Sequence, residues 1–374
     1  MRWACALASG VLAAAPSRAQ EIAAPDTVRV ATDTTISDTP APRTTYGVPD
    51  TSRPAGDEPT LRLPTPDARL LPSLAVPAAE WLTAAHPASG RARRDIGAAS
   101  YGWCARGGVA RRSAQVAAAG VFIGANLGLY EYFRRAWWSG EEQDFWVNWD
   151  WDVLFRGQDK FGHLHGGYVL AEAGREVLEA ACVSEKRAAV IGALYAAAFQ
   201  LQIEIWDGGQ RAYGFSPPDL IFNTIGQGLS VAHTFVPVTR AILPTFSYQR
   251  TPALKAVQSG AIPGDLRPSV DYSGQTYWLS IDVDTLLTGR AKRLWPGLLR
   301  FSLGHTITDW VDPVNGAQIR ARRRIMLSLD VDPLRLPGRA PWWVATKKVL
   351  RHYRFPAPAI EIMSTGIRGI AWHR

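Results

Sequence analysis

Three cysteines, Cys5, Cys104 and Cys182, are the only thiols in 374 residues, and none stands in a CxxC spacing. That excludes a CxxC-type metal or redox motif, although Cys104 and Cys182 can pair in an oxidising compartment. HExxH, Gly-x-Ser-x-Gly and a phosphate-cradling glycine loop are also missing, so the local signatures of the commonest hydrolases and nucleotide enzymes are absent. No Lys/Arg block is interleaved with stacking aromatics, which argues against nucleic acid as a partner.

What the chain does have begins with a delivery segment. Arg2 gives a positive start, Ala4 to Ala15 a short apolar run, and Ser17-Arg18-Ala19 small residues before Gln20. Residues 1–19 therefore read as a secretory signal peptide, since twelve or so apolar residues are short for a bilayer span. Its removal takes Arg2 and Arg18 and lowers the formal charge from +8 to a moderate +6. Cys5 precedes the apolar run, where a lipoprotein cleavage site would not lie. Residues 20–78 carry ten prolines among Thr, Asp, Ser and Ala and read as a disordered spacer. Residues 79–112 form a poorly patterned linker.

From Ser113 the chain changes character. AQVAAAGVFIGANLGLYEYF is nearly uncharged up to Glu131 and long enough to cross a bilayer, with Gly120, Gly124 and Gly128 offering a close-packing face. A buried helix of a soluble bundle fits the same composition. Five tryptophans between Trp137 and Trp151 follow, either an interfacial belt or a lid packed on the bundle. The basic pairs Arg111-Arg112 and Arg134-Arg135 suit anionic lipid headgroups.

Between Asp159 and Gly228 the polar residues fall at helical spacing. Asp159 and His163 are one set, Gln200, Glu204 and Asp207 a second, and Asp219, Asn223 and Gln227, with Ser230, a third. Each set occupies one face of an otherwise apolar helix. Buried carboxylates are costly alone, so the three stripes are expected to converge into one hydrogen-bonded cluster. Ser216-Pro217-Pro218-Asp219 supplies a strong helix start, with Ser as N-cap. Pro237 and Pro244 are expected to end that helix. His165 points away from His163 and reads as a surface or interface histidine, and His233 and His305 receive no role.

The motifs DKFGHLHGGY, IEIWDG, YGFSPPDLIFNTIGQGL and DYSGQTYWLSIDV, in this order, resemble the YfiM-like family of predicted periplasmic lipoproteins of unknown function. More distantly, Asp-Lys-x-x-His, then Glu, then Asp-x-x-x-Asn-x-x-Gly is similar to the VanZ-like membrane proteins, associated with glycopeptide antibiotic resistance. The resemblance covers roughly residues 130 to 370. It implies an envelope helical domain whose motif positions are Asp159, Lys160, His163, Glu204, Asp207, Asp219, Asn223 and Gly226. It implies no mechanism, and the lack of a suitable cysteine departs from the lipoprotein label.

His163 with Asp159, Glu204 and Asp219 has the ligand types for a divalent metal, or for paired acid and base groups. Polar stripes also fix helix register through satisfied networks. Beyond residue 250 the period becomes two. Tyr277, Leu279, Ile281 and Val283 alternate with Trp278, Ser280, Asp282 and Asp284, and Ile325, Leu327, Leu329 and Val331 with Met326, Ser328, Asp330 and Asp332. These are expected to be half-buried strands, paired or duplicated, with the acids on a solvated or edge-protecting face. Residues 358–364 and 366–372 read as a final hairpin, and residues 341–352 as a short helix lying on a membrane surface or packed on the sheet.

The patterns predict an α+β protein: a mainly helical bundle over 113–249, membrane-embedded or the core of a soluble domain, then a small antiparallel β-sheet over 250–374. The expected function is that of an exported, membrane-associated cell-envelope protein with periplasmic exposure, in the inner or the outer membrane. Its expected partners are membrane lipid or other envelope components. A non-enzymatic scaffold or binding protein leads. The alternative is a membrane-embedded hydrolase or transferase on lipid-linked substrates, using a divalent metal or acid–base pair.

Overall fold

The computed structural model describes residues 101–138, 140–151, 155–264 and 266–373. The signal peptide, the Pro/Thr-rich spacer and most of the 79–112 linker lie outside the described residues. After a short helical turn at Gly102–Ala105 come four long helices: α1 (Gly108–Ala136), α2 (Gln158–Ala180), α3 (Glu185–Asp207) and α4 (Pro217–Phe235). Ser216 caps α4 as its spacing predicts, its Oγ accepting from the Asp219 N–H at 3.3 Å, with prolines at the first two helical positions.

Helices α2, α3 and α4 cross closely because glycines meet backbone at their contacts. A Cβ on Gly167 would stand 2.6 Å from the Asn223 carbonyl oxygen, and one on Gly192 2.6 Å from the Arg175 nitrogen. Gly226 lies still nearer the Leu164 carbonyl. These close approaches press the polar stripes of the three helices against one another.

Helix α1 is bound differently. Its Phe122 and Tyr130 rings contact Tyr195 and Trp206 of α3, each pair at 4.5 Å between centroids, so the two helices run side by side. Ala118 is the only buried residue of α1. The glycine face of Gly120, Gly124 and Gly128 meets nothing within 4 Å, so the expected close packing does not occur against the described chain. A disulfide joins Cys104 to Cys182 and ties the start of this segment to the turn after α2.

Six antiparallel strands follow in sequence order: β1 (Ile242–Tyr248), β2 (Gln275–Ile281), β3 (Leu299–Ile307), β4 (Arg323–Val331), β5 (Ala357–Met363) and β6 (Gly366–His373). The sheet thus begins before residue 250. Pro237 does follow the end of α4, but Pro244 sits inside β1, an edge strand where its missing N–H is tolerated. The repeated LSIDVD and LSLDVD segments do not pair with each other; β3 lies between them and aligns Ser302 with both Ser280 and Ser328. Val283 has left β2 and opens a short helix.

The facing of the sheet is the main departure from expectation. Trp278, Ser280, Ser302, Met326 and Asp330 are buried, whereas Leu279, Phe301, Leu303, Leu329 and Ile360 on the opposite face are exposed. The acids are not solvated. Asp330 pairs with the fully buried Arg300 at 2.5 Å, and Asp282 and Asp284 accept from Arg335, each at 2.8 Å. Helix α5 (Pro341–Leu350) leaves Trp342 exposed and turns Lys347 inward. His165 stacks on Phe246 of β1, His233 contacts the Ile242 carbonyl at 3.0 Å, and His305 contacts the Gln158 Oε1 at 2.8 Å.

Candidate functional site

The first turns of α2 and α4 and the last turns of α3 meet at one end of the bundle. From α2, Asp159, Lys160 and His163 project toward Asp219 and Asn223 of α4 and Gln200 and Glu204 of α3. The Lys160 ammonium lies 2.6 Å from Asp219 Oδ1 and 3.3 Å from Asp159 Oδ2. His163 Nε2 is 3.7 Å from Asp159 Oδ2 and 3.6 Å from Asp219 Oδ1, while Nδ1 is 3.1 Å from Asn223 Oδ1 and 3.6 Å from Glu204 Oε1. One imidazole therefore faces three carboxylates.

Beneath it an amide ladder locks the helices. Gln227 Nε2 donates to Gln200 Oε1 at 2.7 Å, and Gln200 Nε2 donates in turn to Asn223 Oδ1. Glu204 Oε2 accepts from the Ser216 N–H at 3.2 Å, holding the carboxylate against the start of α4. Its other oxygen, Oε1, has no hydrogen-bond partner although the residue is only 1% exposed. Asp159 and His163 form the open side of the cluster, each about a quarter exposed.

The charges set the protonation states. Burial opposes the His163 imidazolium, but Asp159, Asp219 and Glu204 outweigh it and raise the group to about 9, so the ring is cationic at neutral pH. Burial likewise works to raise the Asp159 carboxyl, and His163 and Lys160, with hydrogen bonds from Lys160 and Tyr272, hold it below the ordinary carboxylate range.

Of the residues singled out from sequence, Asp159, Lys160, His163, Glu204, Asp219 and Asn223 come together. Asp207 stands beside them, its Oδ1 accepting from Trp138 Nε1 at 2.5 Å. One neighbour, Tyr272, escaped sequence reasoning. Tyr272 donates to Asp159 Oδ1 at 3.1 Å, and it lies in the DYSG motif, to which its sequence pattern assigns no role. Of the tryptophans after α1, Trp138 packs on Trp206 beside Asp207 and Trp146 donates to the Gln210 carbonyl in the loop after α3, whereas Trp149 and Trp151 are exposed.

One ligand atom from each of Asp159, His163 and Asp219 lies within 4.8 Å of the other two. The two His163 separations are close to the roughly 3.3–3.6 Å expected between ligand atoms around a tetrahedral ion at 2.0–2.2 Å. Lys160 touches the same two carboxylates, so an ion enters only when that side chain turns away.

No curated protein and no solved structure matches the chain. Residues 149–235, which hold the histidine, the lysine, the carboxylates and the amides of the cluster, match the family model described as predicted periplasmic lipoprotein (DUF2279). That description supports an exported, envelope-associated protein and states no activity; the likeness to YfiM-like and VanZ-like proteins rests on the motifs alone.

Proposed function

We propose that the protein is a membrane-associated envelope component that acts as a non-enzymatic scaffold or binding protein, with α1 crossing a bilayer and lipid as its first partner. The observation that carries this reading is the apolar exterior. Val116, Ile123 and Leu127 of α1 are each more than 60% exposed, and Val190, Ile191, Leu194, Leu201 and Ile205 line the outer side of α3. A water-soluble domain rarely leaves so much aliphatic surface open, and a hydrocarbon environment removes the cost. Helix α3 is nearly half buried against protein and contributes its outer face rather than a full span. The buried amide ladder then fixes the register of these helices together with the glycine contacts between them. Density separation of the envelope membranes followed by alkaline carbonate extraction tests the reading: retention in one membrane fraction supports it, and release into the wash refutes it.

One observation favours a second reading. Asp159, His163 and Asp219 each offer a ligand atom, and these atoms lie within 4.8 Å of one another. That set suits a divalent ion serving a hydrolase or transferase on lipid-linked substrates. Stoichiometric metal in the purified protein, lost in a folded His163→Ala variant, distinguishes this reading from the first.

A further inference from the structure

A second site lies at the opposite end of the bundle. Helix α3 begins at Glu185 beside it and ends at Asp207 beside the histidine cluster, about 33 Å away at 1.5 Å per residue. Here the last turns of α2 and α4 and the segment 334–351 enclose a cavity of about 410 Å³.

Its walls carry charge of both signs, but the signs do not balance. Arg175 takes Glu172 at 2.9 Å and Glu179 at 2.7 Å, Lys348 takes Glu176, and Arg240 takes Glu185 at 3.3 Å. All four carboxylates lining the cavity are thereby paired. Three further cations, Arg339, Lys347 and Arg351, line the same cavity and form no ion pair among the described residues. Lys347 is 6% exposed, and its ammonium donates only to the Leu336 and Gly338 carbonyls, each at 3.0 Å. The Arg351 guanidinium lies within reach of the Glu172 and Asp332 charges without an ion-pair contact to either, and its Nε is buried without a hydrogen-bond partner. Buried cations normally sit beside an anion.

We infer that this cavity binds a phosphate group through Arg339, Arg351 and Lys347. Two planar guanidinium forks and an ammonium can share the oxygens of one phosphate, and the six cations lining the cavity exceed its four carboxylates by two charges, more than a single carboxylate would neutralise. The same chemistry is offered by a phospholipid headgroup and by a free phosphate or phosphate ester. The disulfide Cys104–Cys182 and the Trp103 Nε1 bond to the Ala180 carbonyl bring the start of α1 to this end of the bundle, together with Arg111 and Arg112. Trp342, exposed on α5, stands on the same segment as the cations. A bound headgroup would thus sit level with one end of α1, but the phosphate site itself does not depend on α1 crossing a bilayer.

The test uses the full chain in detergent. Tryptophan fluorescence, for which Trp343 stands 5.9 Å from the Lys347 ammonium, follows titration with inorganic phosphate and, separately, with phosphatidylglycerol or phosphatidylcholine added to the micelles. Saturable binding of phosphate or phosphatidylglycerol, weakened about tenfold in both Arg351→Gln and the rim variant Arg339→Gln, is the expected result. A preference for phosphatidylglycerol over phosphatidylcholine, competed by phosphate, identifies a lipid headgroup; binding of phosphate without that preference identifies a soluble source. Arg339 is exposed, so its loss leaves the fold intact and keeps the test valid if Arg351→Gln proves unstable. Absence of saturable binding by either probe, or unchanged binding in folded Arg339→Gln and Arg351→Gln, overturns the inference.

Discussion

Lys160 and Asp219 join the first turns of α2 and α4 across 2.6 Å, with neither side chain more than a tenth exposed. Every other contact of the histidine cluster is arranged around this pair. Asp159 and His163 lie on the same turns of α2 as Lys160, and Asn223 lies one turn beyond Asp219 on α4.

Removing Asp219 leaves the buried Lys160 ammonium with its longer contact to Asp159, at 3.3 Å. Asp219→Ala is expected to cost about 3 kcal/mol of folding stability, while the double change Lys160→Met with Asp219→Leu should recover most of it. Denaturant unfolding of the three proteins measures the difference, and a loss below about 1 kcal/mol in the single variant would show that the pair is not a structural link.

The glycine contacts predict a sharp contrast between neighbouring helices. A methyl group on Gly226 meets the Leu164 carbonyl, so Gly226→Ala should destabilise the bundle by about 3 kcal/mol and disturb the His163–Asn223 contact. Gly124→Ala meets open space on α1 and should leave stability unchanged or slightly raised. Equal effects at the two positions would contradict the helix packing described here.

Acid should destabilise the protein through histidines outside the cluster. Burial pushes His165 and His233 down to about 4, and burial with the nearby Arg351 pushes His352 down to about 3. The unfolded chain takes up protons at these rings from about pH 6.5 downward, while the folded chain does not until lower pH. Their contribution is complete above about pH 6.5 and is lost as the pH falls toward about 4. Glu172, which burial works to raise, is held to about 2 by Arg175 and Arg351 and adds to the loss only below the ordinary carboxylate pKa. Burial raises Glu204 to about 8 and Asp207 to about 6, and these act in the opposite direction over the same range, so the histidine contribution is read by comparison: the loss between about pH 7 and about pH 5 should be smaller by about 2 kcal/mol in a folded His352→Gln variant, and equal losses would refute the buried neutral state.

The disulfide closes a span of 78 residues. Loop-closure entropy assigns it about 4 kcal/mol, so Cys104→Ser should lower stability under oxidising conditions and have no effect under reducing ones. A variant as stable as the oxidised parent would leave the link without an energetic role.

Much of the helical part was legible because its polar residues repeat at three and four positions, and a period of 3.6 turns such a repeat into a face. The cluster followed from those faces once buried carboxylates were required to find partners. The sheet was half legible. Alternation separated Leu279 from Ser280 and Leu329 from Asp330, but a period of two does not say which face is covered. The polar face became the buried one because Ser280, Ser302 and Ser328 align across three strands and Arg300 neutralises Asp330. Strand β1 was hidden by Pro244, which reads as a breaker unless the strand is known to lie at an edge. The charged cavity could not be read at all, since Glu172 and Arg351 come from segments far apart in the chain.

In the proposed function the apolar exteriors of α1 and α3 face lipid. Nitroxide labels placed one at a time at Ile123 and Leu194, with the full chain reconstituted in vesicles, report collision with oxygen and with a water-soluble nickel chelate. The account predicts high oxygen and low nickel accessibility at both positions. High nickel accessibility at Ile123 would contradict it and make α1 a helix of a water-exposed periplasmic domain.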